Sequence, residues 1–142
     1  MRRPTAQRTA ALVASLLMAS TTARGQSTAL AEQLSQGRVV LREIHFGPGS
    51  DRIEASSEVV LRKLALALVA DAGVFLIEGH TDAAADAASA QLLSEQRAVA
   101  VKARLVSEGV AAGRLLAVGY GASRPERVRG KHNARIEITR VQ

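Results

Sequence analysis

Val74–Ile77 is an unbroken apolar run, Val-Phe-Leu-Ile, with a helix-period segment on either side. A run that short is no helix of its own. Between two amphipathic segments it reads as a buried central strand. That one strand commits the chain to a layered fold, with helices laid against a sheet.

The flanking segments fill in the layers. On the N-terminal side, Ser56 or Ser57 caps a helix reaching about Ala70, with Glu58 in the first turn, where the helix dipole favours an acid. Its Val60, Leu61, Leu64, Ala67 and Leu68 recur at helical spacing and are predicted to face the sheet. On the C-terminal side a helix spans roughly Ser89 to Glu108 and stops at Gly109, with Leu92, Val99, Ala103 and Val106 as its predicted core stripe. Arg97 and Arg104 share a flank of that helix. Glu78–Asp82 is predicted to leave the central strand as a loop.

Three more strands are predicted. Val39–Phe46 places Ile44 and Phe46 on one face and is broken by Gly47–Ser50. Leu115–Val118 turns out through Gly119-Tyr120-Gly121. Arg135–Val141 alternates, with Ile136 and Ile138 inward and Glu137 and Thr139 outward. The expected fold class is α+β, in the order β-α-β-α-β-β, with two long helices on one face of a small mixed sheet.

Composition closes off several functions. The chain has 142 residues, enough for one domain. It has no Cys, which excludes disulfides, thiolate metal sites and a catalytic thiol. Its rings are Phe46, Phe75 and Tyr120, too few for a base-stacking surface. The net charge of +6 is uneven, because Arg2, Arg3, Arg8 and Arg24 face no acid in the first 25 residues. Nucleic acid is therefore not an expected partner.

Met1–Gln26 has the parts of an export signal: Arg2, Arg3 and Arg8, then the apolar Thr9–Ser20, then small residues around Ala23-Arg24-Gly25. Twelve helical residues span only about 18 Å, short of the roughly 30 Å hydrocarbon core. The expected domains are a signal peptide at 1–25, a lead-in helix or linker at 26–38 and a folded domain at 39–142. The mature chain is expected to have no transmembrane span.

Four blocks carry a resemblance. They are Ile44-His45-Phe46 with Ser50 and Ile53; Ile77-Glu78-Gly79-His80-Thr81-Asp82; Leu93-Ser94-Glu95-Gln96-Arg97-Ala98 with Val101; and Gly119-Tyr120-Gly121 with Pro125, then Asn133-x-Arg135-Ile136-Glu137-Ile138. In order and spacing they resemble the OmpA-like, or OmpA/MotB C-terminal, peptidoglycan-associating domain. The resemblance implies a non-catalytic periplasmic module, held at the cell wall or the inner face of the outer membrane. It implies binding to the peptide stem of peptidoglycan at diaminopimelate, with no cofactor or metal. It names Asp82 as the acid for the ligand ammonium and Arg97 as the planar cation for its carboxylate, with Thr81 and His80 beside them. Backbone N–H groups at the start of the second helix would add to carboxylate binding.

This sequence departs from the family pattern at Ala85, Ser89 and Ala90, where the family usually carries Gly, an aromatic residue and Asn. Ala134 stands for the first Arg of the last block. These departures motivate an alternative reading, an interaction module for envelope or outer-membrane proteins with weakened or lost ligand binding. Read without the resemblance, Asp82 is a cap, Arg97 a solvated or ion-paired helix residue, and His80 a structural hydrogen-bonding group. His80, Asp82 and Asp86 lack a second His at metal-ligand spacing, and Ser94 lacks a nucleophile elbow.

Overall fold

The computed structural model describes residues 29–82, 86–126 and 132–142. The predicted export signal lies outside the described residues. So do Ala85 and, from the basic loop after Arg124, Arg127, Arg129 and Lys131.

The elements follow the predicted order. They are β1 (Arg38–Leu41), α1 (Glu58–Ala70), β2 (Phe75–His80), α2 (Ala87–Ser107), β3 (Leu115–Gly119) and β4 (Arg135–Arg140), with short 3-10 turns at Ala55–Ser57 and Ala112–Arg114. The sheet order is β1-β4-β2-β3. β4 runs antiparallel to both neighbours, while β3 lies parallel to β2. A helical stretch at 29–35 precedes β1, and Gly37, at φ 99°, turns the chain into the strand.

The core lies between sheet and helices. Val39, Leu41, Phe75, Ile77, Leu115, Ile136 and Ile138 meet Leu61, Leu64 and Leu68 of α1 and Ala98, Val101 and Leu105 of α2. Leu34 of the lead-in helix is buried in the same cluster. For α1 the predicted stripe is the buried one, with Val60 partly buried at its edge.

Four expectations need correction. The strand predicted over Val39–Phe46 ends at Leu41, and Phe46 rejoins only as a single bridge to Ile53. Ser57 accounts for part of this. It occupies the cap position of α1 but makes no cap hydrogen bond. Its buried hydroxyl accepts from His45 N at 2.7 Å and lies 3.3 Å from His45 O, fastening that segment to the start of the helix.

The second correction concerns α2. Leu92, Val99 and Val106 are 56%, 52% and 36% exposed, and Ala103 is exposed as well. The buried face carries Ala90, Ser94, Ala98, Val101 and Leu105. Small side chains won that face because the helix sits almost on the backbone of the sheet. The third correction is that β2 runs on through His80 and does not become a loop at Glu78. Glu78 and His80 are polar because they occupy the sheet face turned away from the helices. Fourth, Glu137 on that same face is buried, at 4% exposure.

Candidate functional site

Two glycines bring α2 down onto the ends of the strands. A Cβ on Gly79 would lie 2.0 Å from Ser94 O, and one on Gly119 would lie 2.4 Å from Glu95 N. Neither strand tolerates a side chain there. Ser94 locks the contact, donating to Gln91 O at 2.8 Å and accepting from Gly121 N at 2.8 Å. Both halves of that hydroxyl are spent in the fold, so Ser94 is a packing residue and not a nucleophile.

With α2 fixed in this way, Arg97 reaches out towards the loop after β1. Its Nε donates to Ser50 O at 2.9 Å and its Nη2 to Gly47 O at 3.4 Å. The guanidinium lies over the Phe46 ring, 4.9 Å from its centroid. Burial pushes the Arg97 pKa down, opposed by the carboxylates of Asp51 and then Asp82. The group stays a cation. Two main-chain carbonyls satisfy only part of its five donors, leaving further N–H groups for a guest. Arg97 lines a cavity of about 290 Å³, together with His45, Phe46, His80, Ala134 and Arg135.

Asp82 follows the end of β2. Its side chain is 52% exposed, with Oδ2 lying 3.8 Å from His132 Nδ1. Oδ1 accepts from Asn133 N at 2.6 Å. Asn133 binds Asp82, and the next residue, Ala134, lines the cavity that Arg97 enters. Asp82 itself does not line that cavity; its charge acts on Arg97 from a distance, with no direct ion pair between them among the described residues.

His80 and Thr81 are built into the walls. The His80 side chain is 2% exposed, stacks on Tyr120 with centroids 5.5 Å apart, and has no hydrogen-bond partner at either ring nitrogen. Burial first, and then the Arg135 charge, push its pKa down to about 4, against the opposing pull of Glu137. The ring is neutral near pH 7. Thr81 is buried, with its hydroxyl directed at Ala90 O at 3.4 Å and its amide donating to Gly121 O at 3.0 Å.

At the start of α2 a side-chain cap takes up two of the amides expected to add a backbone contribution. Asp86 accepts from Ala88 N at 3.2 Å and Ser89 N at 3.1 Å, and Ser89 Oγ donates to it at 2.7 Å. These bonds, the Ser89 hydroxyl first, hold the Asp86 carboxyl below its ordinary range. Ser89 thus supports a cap, and Ala90 is buried under the Gly121 turn. Sequence reasoning missed this cap, although an Asp just before Ala-Ala-Ser at a helix start is its usual signal. It also missed Asn133 as a partner of Asp82, for which the sequence holds no local signal.

Known proteins share this fold. A family model described as the OmpA family matches residues 45–139. The outer-membrane lipoprotein YfiB of Pseudomonas aeruginosa is 36% identical over 100 residues, covering 70% of this chain and 60% of that protein. Outer membrane porin F of the same organism is 58% identical over 50 residues, which is 34% of this chain and 14% of the porin. The chain thus spans only part of these relatives. Among solved structures, the peptidoglycan-associated lipoprotein from Burkholderia pseudomallei aligns with a TM-score of 0.62 at 23% identity, covering 75% of this chain and 92% of that one. The periplasmic domain of Helicobacter pylori MotB aligns with a TM-score of 0.61 at 19% identity, covering 72% and 73%. At these identities the two structures speak for the fold alone.

Proposed function

The chain belongs to the OmpA family, and from that premise we propose that it is a peptidoglycan-associating envelope domain that grips the diaminopimelate of the stem peptide between Asp82 and Arg97. It is a binding module and not an enzyme. The amino-acid head of diaminopimelate carries an ammonium and a carboxylate. Asp82 offers a half-exposed carboxylate to the first and Arg97 a planar fork to the second. The observation that carries the reading is Arg97 itself, a partly buried guanidinium tethered by two carbonyls beside an open cavity. Preorganisation of that kind lowers the cost of ordering a side chain on binding. His80 and Thr81 shape the wall behind the ligand.

The proposal extends to location. The relatives named above are envelope proteins, and among the described residues no helix is long and apolar enough to cross a membrane. Residues 1–25 would be removed on export, leaving 26–38 as a lead-in to a domain at 39–142; N-terminal sequencing of the exported protein tests this. A second reading, a surface for envelope proteins, is favoured by the exposed apolar residues Val59, Leu66, Leu92 and Val99.

Co-sedimentation with purified sacculi separates the two. The full chain is expected to pellet with the wall, and Asp82→Ala and Arg97→Ala are expected to lose at least roughly tenfold in affinity, since each removes a charge-assisted contact. Equal sedimentation of all three proteins, or failure of the unaltered protein to bind, overturns the wall-binding reading.

A further inference from the structure

The geometry points to Asn133 as the positioning residue that sets the Asp82 carboxylate, an inference that rests on the proposed ligand reading. Asn133 is the junction of three segments. Its backbone N–H donates to Asp82 Oδ1 at 2.6 Å. Its Nδ2 donates to Thr81 O at 2.6 Å. Its Oδ1 accepts from Glu126 N at 3.2 Å and also from Arg135 Nη1. With its carbonyl oxygen accepting twice, the side chain ties together the end of β2, the Arg124–Glu126 segment and the start of β4.

This matters because Asp82 has little else to hold it. Its carboxylate is half exposed, and its other neighbour, His132, is itself 92% exposed. The amide of residue 133 can grip Asp82 only if the Asn133 side chain fixes that amide in place. The anchor continues inward. Arg135 binds Asn133 O at 2.9 Å, Arg124 O at 3.0 Å and Glu137 Oε1 at 2.6 Å, and its side chain is 3% exposed. A buried ion pair on the sheet thus holds a solvent-facing carboxylate through one asparagine. One Asp82 oxygen is occupied by the amide, which leaves the second directed to the ligand ammonium. Other residue types fail at this position for stated reasons. Asp would set an oxygen against Thr81 O, and Ala would release all three side-chain bonds.

The test is a double-mutant cycle read by titration of the full chain with a diaminopimelate-containing stem peptide. Asn133→Ala is expected to weaken binding roughly tenfold or more. In the Asp82→Asn background the same change is expected to cost nothing further, because the group it positions is already gone. Additive losses overturn the inference. A second readout needs neither ligand nor the Asn133 variant. The amide proton of residue 133, bonded to a carboxylate, is expected to resonate downfield and to move upfield in Asp82→Asn. An amide resonance that ignores Asp82→Asn overturns the positioning role even where the peptide binds. Failure of the unaltered protein to bind the peptide overturns the ligand reading instead, and the amide resonance then still decides whether Asn133 sets Asp82.

Discussion

The two faces of the sheet are built on opposite principles. Towards the helices, β2 presents Phe75, Ile77 and Gly79, and β4 presents Ile136 and Ile138, with Arg140 at the end of the strand laid over the Phe75 ring; apart from that edge and the glycine, this face is hydrocarbon. Away from the helices, the same strands present Glu78 and His80, and Arg135, Glu137 and Thr139. Glu78, His80, Arg135 and Glu137 are also buried. Direct cross-strand pairing sets Glu78 against Glu137, unfavourable for like charges, and the neutral His80 against the Arg135 cation. The face is rescued diagonally. Arg38 binds both Glu137 oxygens at 2.7 and 2.6 Å, Arg135 binds Glu137 at 2.6 Å, and Thr139 donates to Glu78 at 2.6 Å. Glu137 shows the balance of forces: burial pushes its pKa up, but the hydrogen bonds from Arg38 and Arg135 prevail and leave it lowered. One face is specified by volume, the other by the pairing of charges.

The sharpest way to break this contrast is Gly79→Ala. The new Cβ would lie 2.0 Å from a main-chain oxygen of α2, which no rotamer change relieves. Melting should show a loss of about 3 kcal/mol or more, or no folded protein. Next, Glu137→Gln changes no volume but strands Arg135 and half-frees Arg38. Because Arg38 is 52% exposed, the expected cost in denaturant titration is about 2–3 kcal/mol, below that of a fully enclosed pair. An unchanged midpoint would mean that charge does not specify this face. The smallest effect is the pH response of His80. Its pKa is lowered to about 4 from 6.5, so the unfolded chain takes up the proton first. The stability of the neutral ring is therefore whole above pH 6.5 and drains as the pH falls towards 4. Between about pH 7 and about pH 5 the expected loss is about 2 kcal/mol, and His80→Phe should flatten that part of the profile.

The same contrast explains what could be read from the sequence. α1 was legible because Leu61, Leu64 and Leu68 are both its most apolar residues and its buried ones. α2 was misread because its most apolar residues, Leu92 and Val99, are on the outside, while Ala90, Ser94 and Ala98 face a sheet approached at backbone distance. Apolar periodicity scores bulk, and this interface selects for its absence. The clue was in the strands, at Gly79 and Gly119. The end of β2 is hard to read because Glu78 and His80 look like loop residues until a charged sheet face is allowed for. At the site, Asp82 and Arg97 were legible through the motif. Asn133, 51 residues beyond Asp82, was not, because its contact is made only by tertiary structure.

β4 is the seam of the sheet. It lies between β1 and β2, and β1 has no other strand beside it. Within this domain β4 is also the last strand to leave the ribosome, and it must find Arg38–Leu41 across nearly the whole length of the domain. Such long-range pairing is slow to nucleate. The half-made domain therefore has no completed sheet in which to become trapped before its last strand arrives.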